Sequence, residues 1–443
     1  MIRADGGDLL RLRPGVVSAV AADGEFHLLA WPHGESFGRL TADAQAVVRR
    51  LAEAACIRRE FATDPDVDRL VDRLLAGGWL TVTARDAERP RYTLVPLGPP
   101  VPPSGDPPGH GTVLSRFAVL HRDGDEFVLT SPRAWCRLRV HDPRVLSGLA
   151  ALTPAGGTGP DERMLHDLTH AGFVVSTVDE EEAELRLAQW SPAELWFHAS
   201  SRPGSHAAGP AGGTFWAEGR FDPLPERHGG FPGPPVPLRR PDVADLRRKD
   251  PPLTGVLEDR CSIREHDDSA PVSFDELGEF LYRCAGARSR PGSGTQARPY
   301  PGGGGLYELE LYPVVRLVTG LDAGLYHYDP YGHRLVRVPG PGGAARRLLA
   351  GVTWATLTTE PPQVLIVISA RFGRMMWKYQ HMGYAIILKD VGVLLQTMYL
   401  VATAMGLAPC AVGSGDSDAF AAATGVDRLA ESSVGEFILG SRR

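Results

Sequence analysis

Residues 384–405 are apolar on nearly every side of a helical wheel, with Ile386, Ile387, Leu388, Val391, Val393, Leu394, Leu395 and Met398 crowded into four turns. A helix of that kind must be covered all round, so it predicts a buried core helix about which a domain is arranged. Lys389, Asp390 and Gln396 interrupt the run and argue against a membrane span. Just before it, the β-branched run at 364–368 predicts a central strand, and just after it Gly413, Ser414 and Gly415 predict a turn. Trp377-Lys378-Tyr379 lies between the buried strand and the buried helix.

The chain has 443 residues, enough for about three domains. Its formal charge of -6 gives no support to a nucleic-acid partner, because binding a polyanion needs a basic surface that releases counterions. Cys56, Cys136, Cys261, Cys284 and Cys410 are scattered without a CxxC pair. They predict no metal site and no disulfide framework, and read as reduced thiols of a cytoplasmic protein. Met1-Ile2-Arg3-Ala4-Asp5 opens no apolar segment, so no secretory signal is expected.

The front of the chain reads as two tandem winged-helix-like modules, 1–98 and 111–188. Asp123-Gly124 with Phe127-Val128-Leu129 repeats Asp23-Gly24 with Phe26-His27-Leu28, and residues 168–175 repeat 74–81. A Pro-rich stretch from Gly98 to Pro103 separates the two as a stiff linker. Residues 189–252 form a Pro/Gly-rich segment expected to wrap over the last domain, with a short helix at 194–198 and a strand at 213–216. The last domain, 253–443, is α+β. Its Ser273-Phe274-Asp275-Glu276 is a capping box opening a helix that stops at Gly286, and strands are expected at 309–315 and 324–328.

Three stretches of this domain suit a phosphorylated, polar cofactor. Arg260, Ser262 and Arg264 alternate along an extended segment, so two guanidiniums and a hydroxyl point one way and can fork a phosphate. Gly302, Gly303, Gly304 and Gly305 let backbone approach a ring or phosphate closely, as do Gly413, Ser414 and Gly415, although all three stretches also read as plain surface or loop. None is a dinucleotide fingerprint or a Walker loop.

Taken in order, RCSIRE at 260–265, RPYPGGGGLYELELYPV at 298–314, MWKYQHMGYAIILKDVGVLLQTMYLVATAMGLAPCAVGSGDSDAF at 376–420 and SSVGEFILG at 432–440 resemble the nitroreductase-like flavoproteins of the SagB/ThcOx type. ELWFHASSRPG at 194–204 and GGT at 212–214 extend the resemblance upstream. Its nearest kin look like the azoline oxidases of cyanobactin-type and related azole peptide pathways. The resemblance implies a nitroreductase-like domain with FMN bound at a homodimer interface. Arg260, Ser262 and Arg264 would hold the phosphate and the polar edge of the flavin, with Arg442 a further reach to the phosphate. Gly302, Gly303 and Gly304 would line the ring from the partner subunit, and Gln396 with Gly413, Ser414 and Gly415 would complete the site. Related sequences carry Ser where this one has Gly302, so one hydroxyl contact is missing here.

Lys378 and Tyr379 are the motif that marks this group within its superfamily. Azoline oxidation removes a proton from the ring carbon next to the amide and passes a hydride to the flavin. A lysine serves as that base when its surroundings disfavour its charge, and a phenol can share the proton. The implied substrate is a precursor peptide bearing azolines, with a cyclodehydratase as a further partner. Two other readings compete: an NAD(P)H-dependent nitroreductase-like reductase, and a non-catalytic tandem winged-helix peptide binder.

Overall fold

The computed structural model describes residues 4–30, 33–101, 111–204, 206, 212–289 and 296–443. Pro102, Pro103 and the Met1-Ile2-Arg3 start lie outside the described residues. The chain divides into two compact units, 1–211 and 212–443. The division does not fall at the Pro-rich stretch near residue 100.

The first unit repeats one element order. Strand Leu9–Leu12, a three-stranded meander, helices Ala42–Glu53 and Pro65–Ala76 and strand Leu80–Asp86 are followed by Val113–Leu114, a second meander, helices Pro143–Ala150 and Glu162–Ala171 and strand Val174–Val175. Each helix starts where a side chain satisfies free backbone donors, at Thr41, Asp64, Asp142 and Asp161. The halves then diverge. Leu80–Asp86 pairs back with Leu9–Leu12, as Val174–Val175 does with Val113–Leu114, but it also pairs with Arg89–Pro96 as a hairpin that has no counterpart after Val174–Val175. A wing-like hairpin therefore closes the first half alone.

Arg89–Pro96 also pairs with Cys136–Val140 of the second half, making one seven-stranded antiparallel sheet over a single core that runs from Leu10 to Phe173. Beneath it, buried Tyr92 donates to Asp167 at 2.8 Å, and Arg163 bridges Asp167 and Asp8, each at 2.9 Å. The expectation of separable modules meets a shared sheet here. Removing residues 1–110 exposes the edge of Cys136–Val140 and strips a partner from a buried ion network, a loss of about 3–5 kcal/mol. We expect no protease-resistant 111–211 fragment after that deletion; recovery of one would show that the second half folds alone.

In the second unit a seven-stranded antiparallel sheet runs, edge to edge, Pro235–Pro237, Arg334–Arg337, Gly324–Asp329, Leu309–Val315, Val364–Arg371, Glu431–Ser441 and Leu407–Val412. Every residue of Val364–Arg371 is buried. Its alternate side chains serve two cores: Ile366 and Ile368 face helices Phe274–Ala285 and Gly383–Ala404, while Leu365 and Val367 face Ala344–Thr356 and Ser417–Thr424. The capping box is formed, with Glu276 N–H donating to Ser273 at 3.2 Å and Ser273 N–H to Glu276 at 2.8 Å.

The long helix Gly383–Ala404 buries Ile387, Val391, Leu394, Met398 and Ala402 against this sheet. Full cover was expected, but Tyr384, Leu388 and Val393 are exposed by 40%, 38% and 36%. By length and composition alone this helix could cross a membrane. The sheet and the helices Phe274–Ala285, Leu253–Asp259 and Phe372–Met376 are what one small domain sets against it, and they leave the far face open.

Candidate active site

Val364–Arg371 delivers the chain into the short helix Phe372–Met376, and the turn at 377–382 leads into the long helix. Residues 212–231 lie along that turn as a strap. Lys378 C=O accepts from the N–H groups of Thr214 at 3.0 Å and Phe215 at 3.1 Å. Trp377 Nε1 donates to Phe221 O at 2.7 Å, Arg374 Nη1 to Leu224 O at 2.9 Å and Arg371 Nη2 to Pro225 O at 2.8 Å. The strand expected at 213–216 is absent. Phe215 sits at φ +51°, outside the extended region, and its own N–H and that of Thr214 both turn toward one carbonyl.

The Lys378 side chain is walled in. Its Nζ lies 5.2 Å from the ring centroids of both Phe215 and Tyr379. A Cβ at Gly213 would stand 2.9 Å from Lys378 Cε. On the other side Gly304 turns at φ +59°, where a Cβ would stand 2.6 Å from Tyr379 Oη and 3.3 Å from Lys378 Nζ. The glycine loop, Lys378 and Tyr379 thus meet within one chain, and the loop's lack of side chains is what admits the amine and the phenol. The loop is fastened to the long helix by Gly303 N–H, which donates to Asp390 at 2.7 Å.

A second cluster forms near the other end of that helix. Residues 260–264 form neither helix nor strand, and Ile263 N–H donates to Pro409 O at 2.8 Å. Ser262 Oγ is 2.7 Å from Tyr399 Oη, which also accepts Ala411 N–H at 2.8 Å, and Arg260 lies 5.3 Å over the Tyr399 ring. Arg264 is exposed, as is Arg442, whose Nε donates to Leu407 O at 3.0 Å. Gln396 is exposed one turn before Tyr399. Sequence reasoning missed Tyr399; its signal was a hydroxyl-bearing aromatic on an otherwise apolar helix. Asp390 and Tyr399 are nine positions apart, about 14 Å along the axis.

The third stretch begins two residues after Ala411, whose N–H Tyr399 accepts. Gly413, Ser414 and Gly415 are exposed between Leu407–Val412 and Ser417–Thr424, with Gly415 against the buried carboxyl of Glu436, which burial pushes up to about 7. Among the described residues no cluster of His, Cys, Asp or Glu suits a metal ion.

Residues 257–441 match the family model for the nitroreductase family, and residues 112–207 match the model described as cyanobactin oxidase ThcOx. A protein of Methanocaldococcus jannaschii named as a nitroreductase is 30% identical over 182 residues, 41% of this chain and 86% of that protein. The microcin B17-processing protein McbC of Escherichia coli is 31% identical over 144 residues, 31% of this chain and about half, 52%, of that protein. Among solved structures, a chain of the E. coli microcin synthetase McbBCD complex with truncated pro-MccB17 bound aligns at 21% identity over 54% of this chain and 85% of that one, with a TM-score of 0.37.

Proposed function

This chain belongs to the nitroreductase family and is an oxidoreductase, and from that premise we propose that it uses FMN to oxidise thiazoline or oxazoline rings of a ribosomally made peptide to thiazole or oxazole. The observation that carries the reading is the amine of Lys378 and the phenol of Tyr379 held side by side over a loop with no side chains. The likeness of residues 112–207 to a cyanobactin oxidase, and of the catalytic unit to a microcin-processing protein, supports a peptide as substrate.

The residues present fit FMN. Arg260, Arg264 and Arg442 with Ser262 offer guanidiniums and a hydroxyl for one phosphate. Gly302, Gly303 and Gly304 would present backbone without side chains to a flat ring, and Gln396 with Gly413, Ser414 and Gly415 would offer polar contacts at its edge. When bound, FMN supplies a two-electron acceptor for the hydride that leaves the azoline. Lys378 takes the proton from the ring carbon next to the amide, Tyr379 shares it through its hydroxyl, and the Phe215 strap shields the amine from water. Each ring loses one proton and one hydride, so mass spectrometry of an azoline peptide incubated with the protein should show two hydrogens lost per ring. Rapid NAD(P)H oxidation with no change in such a peptide would instead identify a general nitroreductase-like reductase.

The exposed Tyr384, Leu388 and Val393 support a homodimer, and so does the spacing of the two clusters along one helix. In a dimer the phosphate-binding end of one protomer can meet the glycine loop of its partner. Light scattering should give twice the chain mass, and Leu388→Glu with Val393→Glu should give a monomer without flavin. A flavin-loaded monomer would sink this arrangement. The winged-helix-like halves of the first unit bind the precursor peptide, and a cyclodehydratase supplies the azolines. Five unpaired cysteines suit a cytoplasmic location, and the net charge of -6 suits a peptide better than nucleic acid.

A further inference from the structure

Two buried carboxyls lie at the base of the glycine loop and take no part in the chemistry above. Glu308 leads into strand Leu309–Val315 and is fully buried, and its carboxyl oxygens have no hydrogen-bond partner among the described residues beyond the proton it can share with the Asp390 carboxyl. Asp390, on the long helix, is buried and accepts the Gly303 N–H at 2.7 Å. The loop and helix touch closely here: a Cβ on Gly303 would stand 2.3 Å from Ile386 Cγ2 and 3.3 Å from Asp390 Oδ2. Gly304 follows at once, against Tyr379 Oη and Lys378 Nζ. Any shift of the loop off Asp390 therefore changes the space around the amine and the phenol.

We infer that Asp390 and Glu308 are positioning residues, which hold the glycine loop at a set height beneath Lys378 and Tyr379. The inference rests on the proposed role of those two residues. Two adjacent buried carboxylates cannot both stay charged without a large desolvation cost, so the pair holds one proton between its members and keeps a negative acceptor for Gly303. The other groups facing the pair are the Arg374 guanidinium from Phe372–Met376, whose Nε is also buried without a partner, and the Tyr300 phenol; Lys378 and Tyr379 stand across the loop. Burial, and then the Asp390 charge, push Glu308 up to about 8, and burial also raises Asp390. The closed pair thus keeps its proton through neutral pH while an opened loop releases it, so opening grows easier as the pH rises toward 8. A carboxyl raised in the folded state stabilises it fully below the ordinary carboxylate range, and that stability falls as pH rises toward 8.

Hydrogen exchange of the segment carrying Gly303, read by mass spectrometry on the full chain, tests this without reference to activity. Asp390→Ala should exchange roughly ten- to a hundredfold faster there than the parent, the factor expected when a hydrogen bond to a charged acceptor is lost. Asp390→Asn, which keeps the shape and a weaker acceptor, should fall between the two and serves if the alanine variant does not fold. Glu308→Gln, which has no proton to lose, should lack the extra acceleration, beyond ordinary base catalysis of exchange, that the parent gains as the pH rises toward 8. Exchange unchanged in Asp390→Asn, or the same acceleration toward pH 8 in Glu308→Gln, overturns the inference. If exchange behaves as expected while the parent leaves azolines untouched, the positioning stands and the proposed reaction falls.

Discussion

Lys378→Ala should lower kcat and kcat/KM for azoline oxidation together by roughly a hundred- to ten-thousand-fold, the contribution of a positioned base that acts only in the transition state. The flavin should stay. The groups assigned to the phosphate gather around Tyr399, more than two turns along the helix from Asp390, and none of them touches Lys378. The turn should keep its shape as well, because the strap holds Lys378 through its backbone carbonyl, which alanine retains. Tyr379→Phe keeps the ring beside the amine and deletes only the hydroxyl facing Gly304. It should cost activity without loss of folding or colour. Steady-state rates with an azoline peptide, set beside the absorbance of bound flavin, separate the cases. Parental rates in both variants would place the base elsewhere.

Arg260→Glu should yield a folded but colourless protein. A charge-assisted hydrogen bond is worth about 1.5–3 kcal/mol, and reversal adds repulsion, so FMN affinity should drop about a hundredfold or more. Folding should survive because Arg260 closes helix Leu253–Asp259 through its backbone N–H, which donates to Val256 O, while its side chain only lies over Tyr399. Ser262→Ala should cost less, since Tyr399 Oη keeps its second contact to Ala411. Heat release of flavin followed by chromatography reads both. A full complement of FMN in Arg260→Glu would remove the phosphate assignment.

Local chemistry and periodicity carried much of this. The β-branched run at 364–368 became the fully buried strand Val364–Arg371, because a strand covered on both faces needs no alternation. Ser273 and Glu276 capped their helix through contacts a few residues long. The motif stretches were legible as chemistry, yet their meeting was not. Gly304 and Tyr379 are 75 positions apart, and nothing in either stretch shows that one would be pressed against the hydroxyl of the other.

The sequence by itself determined the elements, the capping, the class of the second unit and the residue types suited to a flavin and a proton, because each depends on neighbours within a few turns. Tertiary structure alone decided that Arg89–Pro96 would join two expected modules into one sheet, that residues 212–216 would bend over Lys378 as a strap and not pair as a strand, and that Glu308 would lie beside Asp390. Edge pairing, strap contacts and buried charge pairs are made between segments far apart in the chain, and their energy depends on what else is already packed around them. The long helix stands between the two cases. Its hydrophobicity was written in the sequence, but which face the domain covers, and which it leaves for another surface, follows from how many elements the fold can bring to it.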